Sequence, residues 1–121
     1  MEIAIGIVSG LLALVNLAAG AMKIITPREK HVAQQPWAAD FSPVAVKLIG
    51  VAEVLAAIGL IVPRLLDIAP VLSPLAAVGV VVLQIGAFVV HARRGEKPNL
   101  PVNAVIAVLA AFVAVAGFAT L

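Results

Sequence analysis

Six polar or charged side chains lie within or at the ends of long apolar stretches, where each of them needs a polar partner. Glu53 is the most informative, because it sits near the middle of the apolar run 44–62. A carboxylate inside a bilayer costs several kcal/mol, so it usually faces a bundle interior, a partner group or a water-filled cavity. The other five are Asn16, Lys23, Gln84, His91 and Asn103. Such groups can hydrogen-bond a ligand and relay protons, so we expect a ligand-binding cavity centred on Glu53.

Position along the apolar stretches predicts two layers of polar groups. An inner layer, roughly 10–15 Å into the hydrocarbon core at about 1.5 Å per residue, contains Asn16, Glu53 and Gln84. An outer layer within about 5 Å of the membrane boundary contains Lys23, Lys47, His91 and Asn103. Residues seven apart share a helix face, so Asn16 lies below Lys23 and the layers face one interior.

Small residues accompany the polar ones and favour close helix packing. We expect close contacts at Gly20, Gly50 and Gly86. In the last apolar stretch, small side chains follow Asn103 at helical spacing, at Ala107, Ala110, Ala114 and Gly117. The pattern predicts a helical bundle with a polar interior that opens at one membrane face.

Each polar residue also has a purely structural interpretation. The amides of Asn16, Gln84 and Asn103 are often hydrogen-bond links between membrane helices. Lysines near helix ends extend to lipid phosphates, and His91 suits the interface. Glu53 itself would then be a buried carboxylate whose partner is Asn16, Gln84 or Lys23.

Composition identifies the class of protein. The 121 residues are 64% hydrophobic and 12% charged, with a mean hydropathy of +1.20, far outside the range of soluble domains. Spanning stretches at about 3–25, 44–62, 68–90 and 100–121 each approach the roughly 20 residues that a bilayer requires. We therefore predict an all-α, four-transmembrane-helix bundle forming a single domain over residues 1–121. The first stretch is too long for a signal peptide, so we expect it to be retained.

Basic residues predict the orientation. One side of the predicted topology carries seven of the eight cations, and the other carries only Arg64. The positive-inside rule then places both termini outside and the basic loops in the cytosol, as in a bacterial cytoplasmic membrane.

The connections differ in length and character. Residues 63–67 read as a tight link between the second and third helices. Residues 26–43 are more polar, and Trp37 and Phe41 are four residues apart there, which suits an interfacial helix or ordered cap. A plain loop with an aromatic anchor is the equal alternative. We expect His31 in this segment to be solvated.

The order of short motifs resembles the DoxX-like membrane proteins. These motifs are GAMK at residues 20–23, IGVAE at 49–53, AIGLIVP at 57–63, and Gly86-Ala87 followed by His91. The resemblance covers nearly the whole chain and implies four-helix proteins, some associated with membrane oxidoreductase complexes. A distant relative is linked to thiosulfate:quinone oxidoreduction, and some eukaryotic relatives are assembly chaperones for membrane receptors. Transferred to this chain, the family's positions of interest would be Lys23, Gly50, Glu53, Gly86 and His91.

Three functions remain open at this point. The first is a site for a quinone-like lipophilic ligand, used with a membrane oxidoreductase partner. The second is a non-catalytic scaffold or assembly chaperone, in which the polar network only fixes helix register. The third is a small proton-coupled exporter, which the lysines flanking Glu53 disfavour because they would repel cationic drugs. Enzyme status is open, and Glu53 is the best candidate for a catalytic residue.

Several partners and cofactors are disfavoured. The chain has no cysteine, which excludes thiolate metal ligation and thiol–disulfide chemistry of its own. We expect no metal site, and no haem, because His91 is the only candidate axial ligand at a span edge. Nucleic acid is not expected, since the cations belong to topology-setting loops that contact anionic lipid. The expected partners are the lipid bilayer, an oxidoreductase or further copies of the chain.

Overall fold

The fold is entirely helical, and the computed structural model describes all residues from 1 to 121. The α-helices are α1 (Glu2–Ile25), α2 (Arg28–Gln34), α3 (Pro43–Leu66), α4 (Leu72–Arg93) and α5 (Asn99–Ala119), with a 3-10 helix at Pro36–Asp40. Four of these, α1, α3, α4 and α5, are long and apolar enough to cross a bilayer. The predicted all-α class with four spanning helices is confirmed.

The four spanning helices form a closed ring. The helix α1 packs against α3, α3 against α4, α4 against α5, and α5 returns to α1. Consecutive spans therefore run antiparallel, and the chain goes up and down around one interior. The first turn of α1 and the last turn of α3 also meet at the surface, where Arg64 of α3 pairs with Glu2 of α1.

An apolar core fills the half of the bundle near the chain termini. Ile5, Leu12, Leu60, Val80 and Val113 are almost fully buried there. The predicted stripe of small residues on α5 faces the same interior, and Gly117 packs directly on Pro74 of α4. Lys23, Glu53 and His91 lie in the other half of the bundle, towards the basic loops.

The connection between α3 and α4 differs from the prediction. Residues 63–66 belong to α3, and the link is the turn 67–71. Pro63 lies in the last turn of α3, where it removes one backbone hydrogen-bond donor, and the helix continues for three more residues. Asp67 follows the helix and adopts a left-handed conformation with φ of 53°. Aspartate tolerates this conformation better than most residues.

The connecting segment, residues 26–42, is ordered and lies across the polar end of the bundle. It consists of α2 and the 3-10 helix, so the predicted interfacial helix or ordered cap is present. The prediction that His31 is solvated is wrong. Its side chain is buried, edge-on to the Trp37 ring at 5.9 Å between centroids, with Nε2 3.2 Å from Gln35 Oε1.

Candidate functional site

A buried ion pair joins α1 to α3. Lys23 Nζ lies 2.6 Å from Glu53 Oε1, and the two side chains are only 12% and 7% exposed. The contact is an ion pair whose angles fall outside those of a hydrogen bond. Of the three partners that the sequence offered for Glu53, the structure selects Lys23. Mutual neutralisation lowers the free-energy cost of placing each charge inside the membrane.

The backbone of the two helices explains why these side chains meet. Gly20 and Gly50 lie at the closest approach of α1 and α3, one helical turn before Lys23 and Glu53 respectively. Because the helices are antiparallel, the two charged residues start about 9 Å apart along the bundle axis, at about 1.5 Å per residue. Side chains lean towards the N-terminus of their own helix, so Lys23 and Glu53 lean towards each other and close this gap.

An aromatic side chain from the connecting segment covers the pair. Lys23 Nζ lies 5.7 Å from the Trp37 ring centroid, within range of a cation–π contact. Besides His31, Trp37 also contacts Phe41 at 5.8 Å and His91 at 6.4 Å between ring centroids, both edge-on. Trp37 Nε1 donates a hydrogen bond to Gln35 Oε1. The indole ring therefore links the ion pair on α1 and α3 to the buried histidine on α4.

Charged residues hold the connecting segment against the α4–α5 connection. His91 Nδ1 lies 2.8 Å from Glu96 Oε1, and Arg94 contacts both Glu96 and Asp40. The hydrogen bond to Asp40 is the main reason that the pKa of Arg94 is raised above its ordinary value, while desolvation acts the other way. Arg94 therefore stays cationic at every accessible pH, and it ties the 3-10 helix to the end of α4.

The predicted cavity residues divide into separate groups. Asn103 Nδ2 donates to Gln84 Oε1 at 2.8 Å, which links α5 to α4 and joins two residues that the sequence placed in different layers. Asn16 Nδ2 donates to the Leu12 carbonyl of its own helix. The remaining oxygens, Asn16 Oδ1 and Asn103 Oδ1, are buried without a hydrogen-bond partner. The polar interior therefore keeps two unused hydrogen-bond acceptors, in the half of the bundle that contains the ion pair.

A cavity opens beside the Lys23 end of the pair. It has a volume of about 200 Å³ and lies between the end of α1, the start of α2 and the start of α3. Its polar lining is basic, with Lys23, Arg28, His31 and Lys47. Glu53 does not line it, so this cavity is displaced from the position expected around Glu53. No three His, Cys, Asp or Glu side chains lie close enough together to hold a metal ion.

Comparison with known proteins gives one match. The family profile described as the DoxX-like family matches residues 7–113, a range that contains Lys23, Trp37, Glu53 and His91. The chain belongs to the DoxX-like family. Neither the curated proteins nor the solved structures contain a significant match. The family and the helices together establish an integral membrane protein of DoxX-like type.

Close packing in this DoxX-like protein involves two of the three predicted glycines. A Cβ atom on Gly20 would lie 2.5 Å from the Gly50 carbonyl oxygen, and one on Gly50 would lie 2.7 Å from the Gly20 carbonyl oxygen. Gly86 does not meet the expectation, because nothing lies within 4 Å of its Cβ position and it is on the exposed face of α4. Lys47 is also exposed, as expected of a lysine that reaches towards lipid phosphates.

Sequence reasoning missed several residues of the DoxX-like site. The sequence predicts Trp37 only as an interfacial anchor, and it indicates no role in the site for Glu96 or Arg94. The Trp37-Phe41 spacing was the one signal available for the aromatic cover. Nothing in the sequence indicates whether the connecting segment folds over the ion pair or extends outwards along the membrane surface.

Proposed function

We propose that this DoxX-like membrane protein binds the polar head of a small quinone-like ligand under the connecting segment, at the Lys23–Glu53 pair. The observation that carries the proposal is the buried ion pair beneath Trp37, with His91 on another side of the same ring. Buried ionisable groups in membrane helices commonly mark ligand or proton pathways.

The chemistry of the residues suits a quinone head. Lys23 Nζ can donate a hydrogen bond to a quinone carbonyl, and the face of Trp37 can stack on a flat ring. Glu53 and His91 are the groups that would accept or deliver protons when the ligand changes its redox state. A membrane oxidoreductase partner, which the family resemblance suggests, would supply or accept the electrons.

The single tryptophan of the chain makes the proposal testable by fluorescence. We would titrate a short-tailed benzoquinone into the protein in lipid nanodiscs and record the quenching of Trp37. Wild type should show saturable quenching. Lys23→Met and Glu53→Gln should weaken the apparent affinity about tenfold, corresponding to about 1.4 kcal/mol for one charge-assisted contact.

Lys97→Gln is the matched control, because Lys97 is an exposed cation outside the site. Native mass spectra of the same samples should show a quinone adduct in wild type and Lys97→Gln that is lost in Glu53→Gln. Linear, unsaturable quenching that is equal in all four proteins, with no adduct in any of them, would contradict ligand binding.

A non-catalytic scaffold or assembly subunit is the second candidate, and one observation favours it. Lys23 and Glu53 already neutralise each other, and the helices that carry them touch backbone to backbone at Gly20 and Gly50. On this alternative Glu53→Gln changes stability and leaves function intact, and partner proteins co-purify with the variant. No contact in the bundle favours the third hypothesis, a proton-coupled exporter.

A further inference from the structure

The cavity between α1, α2 and α3 has the charge of an anion site. Three cationic side chains line it, Lys23, Arg28 and Lys47, and no acidic side chain does. Of these, only Lys23 has an ion-pair partner. By contrast, Arg64 and Arg94 elsewhere in the molecule each pair with a carboxylate. The cavity therefore keeps two uncompensated positive charges, Arg28 on α2 and Lys47 on α3.

One terminal nitrogen of the Arg28 guanidinium is hydrogen-bonded to the protein, and the other has no acceptor. Its Nη2 donates to the Phe41 carbonyl at 2.8 Å, which fixes the guanidinium at the wall of the cavity. Its Nη1 is shielded from solvent and has no hydrogen-bond partner in the protein. A shielded donor without an acceptor costs about 1–3 kcal/mol, more for a charged group. A phosphate oxygen is the acceptor that matches a guanidinium best.

The size and the surroundings of the cavity fit a phosphate that belongs to a lipid. Its volume of about 200 Å³ is several times the roughly 30 Å³ that one water takes in the liquid. Ile25 lines the cavity and is 75% exposed, and Val44 and Leu48, which flank the lining residues of α3 in the sequence, are also exposed. These apolar side chains would face the acyl chains below a headgroup. Basic pockets between membrane helices bind anionic headgroups in this way.

We propose that this cavity binds one phosphate group, which Arg28 and Lys47 hold from either side. The group is carried by an anionic phospholipid of the surrounding leaflet or is free phosphate, and the exposed apolar rim favours the lipid. This inference does not depend on the proposed quinone site, since neither Arg28 nor Lys47 belongs to that site.

Native mass spectrometry of the detergent-solubilised full chain tests the site. Wild type would be titrated with phosphatidylglycerol, with phosphatidylcholine and with inorganic phosphate in separate series. We expect one tightly retained phosphatidylglycerol per chain and no comparable retention of phosphatidylcholine. Arg28→Gln and Lys47→Gln should each lower the phosphatidylglycerol affinity about tenfold, the loss of one charge-assisted contact.

Lys30→Gln is the matched control, because Lys30 is an exposed cation of α2 that does not line the cavity. It should leave the affinity unchanged. Retention of inorganic phosphate with the same dependence on Arg28 and Lys47 would support the site and identify its ligand as the free ion. Equal lipid affinity in all four proteins, or an equal loss in Lys30→Gln, would overturn the proposal. Since Lys47 is exposed and unpaired, its variant should fold, and the test stands even if Arg28→Gln does not.

Discussion

Gly20 of α1 and Gly50 of α3 approach so closely that a Cβ atom on either one would collide with the carbonyl oxygen of the other. This contact sets the distance between the two helices that carry Lys23 and Glu53. Helix association in lipid depends on such close packing, because burial of apolar surface supplies little driving force there. The crossing therefore determines whether the ion pair can form.

Gly50→Ala should destabilise the protein by about 1–3 kcal/mol, the usual cost of overpacking, because the added methyl meets the Gly20 backbone and the stem of Lys23. Thermal unfolding in nanodiscs would show this as a lower midpoint. Gly86→Ala is the control. Its Cβ has open space, so the midpoint should be unchanged or slightly higher. Equal midpoints for Gly50→Ala and wild type would contradict a tight crossing.

Removing both charges of the buried pair should cost less unfolding free energy than the sum of the two single removals. Glu53→Gln or Lys23→Met alone leaves an uncompensated charge in the membrane interior, which typically costs about 3–5 kcal/mol. The double variant has no such charge, so its loss of unfolding free energy should be smaller than the sum of the single losses. A double-mutant cycle by steric-trap or denaturant unfolding measures the coupling. Strictly additive losses would show that the two groups do not interact.

The orientation can be checked by labelling, because the chain has no native cysteine. With both termini outside and the basic loops in the cytosol, Thr120→Cys should react with a membrane-impermeant maleimide in intact cells. Lys97→Cys should react only after the cells are opened. Both positions are exposed in the fold, so lack of labelling reflects sidedness and not burial. The reverse pattern would invert the proposed topology.

Much of the fold could be predicted because hydropathy in a membrane chain is a strong signal. The four spans, the interior position of Glu53 and Lys23 as one of its partners all follow from where apolar runs begin and end. The Gln84–Asn103 hydrogen bond could not be predicted in the same way. Counting residues from the boundary put these two side chains at different depths, and the relative shift of α4 and α5 along the bundle axis decides that they meet.

Two further differences have separate causes. A proline usually ends a helix, so Pro63 predicts the end of α3, yet the helix continues for less than one further turn, to Leu66. His31 looked solvated because its neighbours in the sequence are polar. Its burial depends on the connecting segment folding onto the bundle, a tertiary contact between Trp37, Lys23 and His91 that no local pattern indicates.

The position of the ion pair within the chain has a consequence for biosynthesis. Lys23, Trp37 and Glu53 all precede the turn at residues 67–71, so the first helical hairpin carries both charges and their aromatic cover. Chains emerge N-terminal end first. Lys23 can therefore neutralise Glu53 while the hairpin enters the bilayer, before α4 and α5 follow. Glu53, whose insertion into the membrane costs the most free energy, then enters together with its counter-ion Lys23. The second hairpin packs onto a first hairpin whose buried charges are already paired.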